Sequence, residues 1–453
     1  MSIKKVKTFK GGHNFGNLLG SPENEVRELE LPNKVFIPLK YNHIREVPAI
    51  VEVGDKVKTG QIIGIDDKNE SSPVHASISG YVTDICPVNL SGEEAKAVVI
   101  ESDGKDDWTS SYESKSNFES ISKEELNRIL YFSGSGFPAR VNEMDNLIIR
   151  AVYTQPYCLN NEIIIGKDID NFVTGLCILK KALNPKTKIH IGIDNRDENL
   201  IKILYKSLDW LEIHPLKPKY PQDHPVILKK TLLDESFSSS STVIIDTQSV
   251  IHAYYSVVEG KPVVGKIIVL GGHGITERGF VKIRIGTPLI CILSNKNIKD
   301  KRCIVGGIIT GKECNDLSIP VTRDIDSLSI LKENHNREFL SFIRPGVRRD
   351  SFSTSFLSSI FPKIKKRFDT NEKGEHRPCI YCNYCEEACP VELMPYLLNN
   401  YVTHDMLDEA REMGLMTCID CGLCTYVCPC KIPLMENIQS GKEIINENNQ
   451  ENS

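Results

Sequence analysis

Short apolar runs broken by Gly, Asp and Pro open the chain. Val35-Phe36-Ile37-Pro38-Leu39, Val51-Glu52-Val53-Gly54-Asp55, Gln61-Ile62-Ile63-Gly64 and Ser79-Gly80-Tyr81-Val82 follow at the spacing of short strands and predict a small all-β sandwich across residues 32–101. Residues 102–122 turn to Asp, Ser, Lys and Glu, the composition of a linker. The pattern then changes. Ser122 stands as an N-cap with Glu125 three residues on and predicts a helix over 122–131. Residues 146–152, 187–193 and 211–214 read as strands and 198–209 as a helix, so alternation predicts a parallel α/β domain over 120–235.

A Ser-rich break at 236–241 precedes a strand at 242–245 and a helix near 249–259. Gly265 to Leu270, Phe280 to Gly286 and the close-approach turn Gly306-Gly307-Ile308-Ile309-Thr310-Gly311 then predict a compact β-rich module, giving a unit over 242–330. Residues 331–375 are basic and aromatic and read as a linker. Apolar residues at Leu397, Leu398, Tyr401, Met406, Leu407 and Ala410 predict helices inside a last domain at 376–440, and 441–453 reads as a disordered tail.

A length of 453 residues implies about three domains, and 40% hydrophobic with 25% charged residues is a globular composition. A formal net charge of -5 gives no electrostatic case for nucleic acid or an anionic membrane surface. The basic runs at 344–349 and 363–367 read as solvated faces or docking patches. No stretch approaches the ~20 apolar residues that cross a bilayer, so a membrane role would be peripheral, and the start Met-Ser-Ile-Lys-Lys lacks a following apolar core for export.

Nine of the 15 cysteines lie in the last 75 residues, as Cys379-x2-Cys382-x2-Cys385-x3-Cys389-Pro390 and again as Cys418-x2-Cys421-x2-Cys424-x3-Cys428-Pro429. This is the doubled spacing of a two-cluster ferredoxin, in which the fourth thiolate of each run serves the other cluster. One [4Fe-4S] cluster is therefore assigned to Cys379, Cys382, Cys385 and Cys428, and the second to Cys418, Cys421, Cys424 and Cys389. Zinc uses four thiolates as two pairs, whereas each run here offers three close thiols and a fourth before Pro. Disulfides suit secreted chains, not this clustering. Cys430 reads as a bystander. The apolar and aromatic residues Ile380, Tyr381, Tyr384, Ile419, Leu423 and Tyr426 are expected to jacket the clusters.

The phrase Val53-Gly54-Asp55-Lys56-Val57-Lys58-Thr59-Gly60-Gln61, with Pro73-Val74-His75-Ala76-Ser77, resembles the barrel-sandwich hybrid of biotinyl and lipoyl carriers, assigned to 1–110. Lys68, near the modified lysine's place, reads as a plain surface lysine and His75 as a structural residue. Together with Thr8-Phe9-Lys10-Gly11-Gly12, the segments 282–288 and 305–311 and both Cys runs, these phrases resemble RnfC, a component of the Rnf electron-transport complex. Leu19-Gly20-Ser21-Pro22-Glu23, 337–340 and 344–353 are similar to NqrA, a component of the sodium-translocating NADH:quinone reductase, a branch that generally lacks the cluster cysteines. The chain thus looks intermediate within one RnfC/NqrA superfamily.

The resemblance implies a multidomain α/β and β fold: the barrel-sandwich hybrid, a Rossmann-like domain resembling the flavin- and NADH-binding part of complex I, a β-grasp module of SLBB type, and a C-terminal α-helical dicluster ferredoxin domain. It implies FMN and NADH near Gly134, Gly136 and Phe137, in a loop whose backbone N–H groups suit a phosphate. Read from residues alone, that loop is equally a tight turn. Where the family carries Glu-x-Glu-Pro-Tyr this chain has Tyr153-Thr154-Gln155-Pro156-Tyr157, with Arg150 in place of the preceding Asn, so both carboxylates are lost. The expected function is a peripheral electron-transfer component, on the cytoplasmic side of the bacterial inner membrane, of a Na+- or H+-translocating, NADH-linked oxidoreductase. Its expected partners are integral-membrane proteins of the same complex, with NADH, quinone or ferredoxin at the ends of the path. No catalytic residue is assigned to the chain itself. The alternatives are a flavin-dependent NADH dehydrogenase at the 134–138 loop and a structural adaptor.

Overall fold

The computed structural model describes residues 5–16, 18–40, 46–66, 71–90, 92, 94–109, 113–115, 117–135, 144–166, 168–184, 186–233, 241–293, 297–335, 350, 352, 363–368 and 377–451. Lys68, Gly136, Phe137 and the basic run at 344–349 lie outside these residues.

After β1 (Val26–Glu28), which belongs to a later sheet, β2 (Lys34–Pro38), β3 (Lys56–Val57), β6 (Gly80–Asn89) and β7 (Glu94–Ser102) form an antiparallel sheet in the order β2-β7-β6-β3. β4 (Ile62–Gly64) pairs with β5 (Val74–His75) in a second, two-stranded sheet. Alternation decides which side chains turn inward: Val35, Ile37, Ile63, Ile78, Val98 and Ile100 fill one core. The run at 51–55 is a turn rather than a strand. Gly54 takes φ +100 there and the Asp55 carboxylate accepts the Glu52 N–H, leaving Val53 in solvent. His75 is structural, as expected: buried, Nε2 bonded to the Phe132 carbonyl, with burial and the Arg323 charge lowering its pKa to about 3.

The next unit contains α1 (Lys123–Phe132), β8 (Asn146–Ala151), α2 (Asn161–Ile164), α3 (Ile169–Ala182), β9 (Lys188–Asp194), α4 (Glu198–Ser207), β10 (Glu212–Leu216) and α5 (Pro225–Leu233). Ser122 caps α1 by accepting the Glu125 N–H. Leu147-Ile148-Ile149 and Ile189, Ile191 and Ile193 are buried, the continuous apolar strands of a parallel sheet covered on both faces. The fourth strand, β11 (Thr242–Asp246), pairs in parallel with β8, so the order is β10-β9-β8-β11. The Ser-rich break therefore does not end this unit. It precedes the strand on the far side of β8 and α6 (Thr247–Val258), whose Val250 carbonyl presses so closely on α3 that a Cβ at Gly175 would lie 2.3 Å from it.

A six-stranded mixed sheet follows, in the order β1-β13-β12-β16-β14-β15, from β12 (Gly265–Gly271), β13 (Gly279–Arg284), β14 (Lys301–Val305), β15 (Lys312–Glu313) and β16 (Ser327–Lys332). β1 reaches it from the N-terminal hundred residues and pairs in parallel with β13.

Among the described residues five helices close the chain: α7 (Tyr384–Ala388), α8 (Pro395–Thr403), α9 (Leu407–Glu412), α10 (Leu423–Val427) and α11 (Leu434–Glu451). The expectation of a disordered tail from 441 is corrected by α11. Its polar composition hides a seam in which Ile438 and Ile445 are buried, Gly441 lies close to Val402, and Lys442 bonds Asp420 and the Cys418 carbonyl. Among the described residues no helix is long and apolar enough to cross a membrane.

Candidate iron–sulfur site

The two cysteine runs fold alike. Tyr381 and Asp420, Asn383 and Gly422, and Glu392 and Lys431 occupy matching positions, and all six take positive φ, between 52° and 74°. Such reversals turn successive N–H groups into a concavity that suits an anion. Tyr381 N–H points to Cys379 Sγ at 3.4 Å and Leu393 N–H to Cys389 Sγ at 3.3 Å. Each run then enters a one-turn helix, α7 or α10, and its fourth cysteine sits just past the end in extended backbone, Cys389 at φ -65 and Cys428 at φ -69. Leaving the helix there carries the fourth thiol away from the first three.

Cys379, Cys382, Cys385 and Cys428 line one cavity, as does Cys430, expected as a bystander, with Ile380, Tyr381, Tyr396 and Leu434 among its walls. Cys428 of the second run thus stands with the three close thiols of the first. Reciprocally, Cys389 lies near enough to Cys418 and Cys421 to raise their pKa values. Burial is the larger cause throughout: it lifts Cys385 and Cys418 to about 11 and Cys421 to about 12, while backbone N–H groups of Tyr396, Asp420 and Leu423 respectively pull them back. A thiol so placed would give up its proton to a metal, and the same N–H groups would stabilise the charge of a bound cluster. This donor set fits iron–sulfur clusters. Among the described residues no three His, Cys, Asp or Glu side chains converge closely enough for a single metal ion; a four-iron cubane takes thiolates spaced more widely than one zinc does.

The packing differs between the two loops. Tyr384, Ile419, Leu423 and Tyr426 join an apolar cluster with Phe15, Tyr220, Ile309 and Phe352, as a jacket requires. Ile380 and Tyr381 do not: they are 65% and 71% exposed, a correction to the expectation that all six cover the clusters. The second loop lies against the body of the protein, where Ile309 sits 3.0 Å from where a Cβ on Gly422 would be, whereas at the rim of the first Ile380 and Tyr381 stay largely exposed, with the Tyr396 ring edge-on to Tyr381 at 5.9 Å.

Sequence reasoning missed the residues that fasten this domain to the rest. Gly12 N–H donates to the Ala388 carbonyl at 2.8 Å, and His13 Nε2 meets the Asp350 carboxylate at 2.6 Å, where Tyr426 Oη also donates at 2.7 Å. Tyr220, in the turn after β10, donates its buried phenol to the Cys421 carbonyl at 2.7 Å. The Gly11-Gly12 pair was visible only as part of a family phrase; Tyr220 carried no signal. Tyr220→Phe should cost about 1–2 kcal/mol, because it leaves that carbonyl unsatisfied, and should move the midpoint potential of one cluster more than the other. Denaturant titration and redox-poised EPR would read both effects; an unchanged potential for both clusters would reduce Tyr220 to a packing residue.

Of the nucleotide-type loop, Gly134 alone among the assigned residues lies within the described ones. Gly134 has φ +70, and a Cβ there would fall 2.6 Å from the Arg323 guanidinium and 3.1 Å from His75, so it is a packed turn. Gly136 and Phe137, assigned with it, lie outside the described residues. Parallel sheets of this kind take ligands at the carboxyl ends of their strands, where the strand order reverses. That point lies between β8 and β11, and there Tyr153 Oη and Thr247 Oγ1 are hydrogen bonded at 2.6 Å. Arg150 lies 5.7 Å from the Tyr153 ring, and Gln155 donates to Thr310 Oγ1 at 3.0 Å. Side chains that replaced the family's carboxylates thus bond to the protein itself.

A sheet-rich N-terminal unit, an α/β unit and a doubled thiolate fold define an iron–sulfur protein of the electron-transfer class. The family described as RnfC Barrel sandwich hybrid domain matches residues 7–105, which bears out the resemblance to RnfC there, and that described as 4Fe-4S dicluster domain matches 378–432. Over 449 residues the chain is 26% identical to the C component of the ion-translocating oxidoreductase complex of Buchnera aphidicola, covering 94% of this chain and 87% of that protein. It is also 26% identical over 433 residues to the C component of the proton-translocating ferredoxin:NAD(+) oxidoreductase complex of Clostridium ljungdahlii, covering 90% and 87% respectively. An air-oxidized NAD+-reducing [NiFe]-hydrogenase structure aligns with a TM-score of 0.40 and 10% identity over 71% of this chain and 66% of that one, too distant a likeness to bear on function.

Proposed function

We propose that the chain is the peripheral RnfC component of an Rnf-type, ion-translocating, NADH-linked oxidoreductase, and that it relays single electrons through two [4Fe-4S] clusters. Cys379, Cys382, Cys385 and Cys428 hold one cluster and Cys418, Cys421, Cys424 and Cys389 the other. The observation that carries this is the presence of Cys428 in the cavity walled by the three close thiols of the first run. Crossed ligation makes one unit of the pair and keeps the clusters close. Integral-membrane proteins at the cytoplasmic face of the inner membrane are the partners, in keeping with the ion-translocating complexes for which the relatives are named. The α/β unit is read as a relative of the flavin- and NADH-binding part of complex I, and the six-stranded sheet as its β-grasp companion.

NADH oxidation at a flavin held by this chain is the weaker reading, because Tyr153 and Thr247 bond across the strand ends where a nucleotide would lie. Anaerobic purification should give about eight iron and eight sulfide per chain and the EPR of two interacting clusters. Iron near zero, or two zinc ions, would overturn the relay. A flavin band that NADH bleaches would restore the enzyme reading, and clusters that no physiological donor reduces would favour an adaptor.

A further inference from the structure

Because the two cluster loops share one fold, each is a control for the other. At matching positions the second loop has Ile419, packed in the apolar cluster, and Asp420, bonded to Lys442 at 2.6 Å. The first has Ile380 and Tyr381, both largely exposed, with the Tyr396 ring edge-on to Tyr381 at 5.9 Å. Tyr381 also sits at φ 52, a conformation that suits Asp, Asn or Gly and costs a bulky aromatic about 1 kcal/mol. Folding alone favours neither the strain nor the exposure. The same two residues rim the cavity of Cys379, Cys382, Cys385 and Cys428, so an exposed apolar patch lies beside the cluster that faces outward.

The cluster-binding stretch is itself acidic, although Lys10 of the N-terminal segment pairs with Glu392 at 2.6 Å and lies within electrostatic reach of Glu386. Between Arg377 and Glu451 twelve Asp and Glu stand against four Lys and Arg, so this stretch holds more negative charge than the whole chain's net -5. Of the four cations, Lys442 is held by Asp420 and Arg377 by the Pro429 carbonyl. Glu386 and Glu387, on the helix that follows the first loop, are exposed. An apolar centre within a field of one sign selects a partner of opposite sign and speeds its encounter.

We propose that Ile380 and Tyr381 form the docking face for a separate one-electron redox protein that presents an apolar contact ringed by Lys and Arg. This rests on the relay reading above. One electron leaves the outer cluster, which is oxidised by one equivalent, and reduces the partner's centre by one; no proton or covalent bond is exchanged.

The test uses the full-length, cluster-loaded protein, reduced with dithionite and freed of excess reductant, with a basic c-type cytochrome and an acidic blue-copper protein as probes in stopped flow. Oxidation by the cytochrome should be at least about tenfold faster than by the copper protein at low salt, and the gap should close as salt rises. Ile380→Asn with Tyr381→Asn should slow the cytochrome about tenfold relative to the same variant's own rate with ferricyanide, both normalised to its iron content. Glu386→Lys with Glu387→Lys should slow the cytochrome and speed the copper protein. Equal, salt-independent rates with both probes, or an unaltered cytochrome rate in the iron-replete Asn variant, would overturn the docking face. Absence of iron from the wild-type protein would instead overturn the relay itself.

Discussion

Cys382→Ser combined with Cys428→Ser should keep about half of the wild-type iron, roughly four atoms per chain, and the EPR of one isolated cluster. Both residues belong to the same cavity although they come from different runs, so the second substitution removes a ligand from a cluster already lost. Cys382→Ser combined with Cys389→Ser should take iron close to zero, because those two thiols serve different clusters. Uncrossed ligation reverses the two outcomes. Iron and sulfide assays on the two double variants, each against its singles, separate the cases, and half-loading in the Cys382/Cys389 pair would refute the assignment. Non-additivity of this kind is the signature of residues acting as one unit.

Gly11→Val should release the N-terminal segment from the cluster domain. Gly11 has φ +72, and its Cβ would lie 2.5 Å from the Cys389 carbonyl oxygen, 2.8 Å from that carbon and 2.9 Å from the Ala388 oxygen. All three are backbone atoms beside a ligand, so none can swing aside. A β-branched residue adds strain of about 1–3 kcal/mol before the clash is counted, and a loss of roughly 3 kcal/mol in all is expected. The checks are the thermal midpoint and the iron retained through gel filtration, both of which should fall, with Gly11→Ala in between. Wild-type values in Gly11→Val would mean that the strap does not bear on Cys389.

Ligand chemistry was legible because cluster binding is local: three thiols at a spacing of three, then a fourth before Pro, are read directly from the order of residues. The strands of the α/β unit were equally plain, since burial on both faces makes Leu147-Ile148-Ile149 and the run from Ile189 to Ile193 continuous or nearly so in apolar side chains. What was lost depends on partners distant in the chain. β11 follows a Ser-rich break that looks like a boundary, and only its pairing with β8 assigns it to the α/β unit. The seam of α11 comprises a few apolar residues in a polar sequence, and it takes Val402 and Asp420 to give it meaning. The contrast between Ile380 and Ile419 was invisible, because two loops of one pattern differ only in what the remainder of the protein lays over them.

The bond from Gly12 to Ala388 has a consequence for biogenesis. A chain made from its N-terminus produces the strap first and the surface it fits almost last. Until the last residues are made, Gly11 to Phe15 have only the Tyr220 side of their seat, to which His13 bonds backbone to backbone in both directions at 2.9 Å. The folded cluster domain therefore completes a seat that the α/β unit begins, and three stretches far apart in the sequence meet around Tyr220.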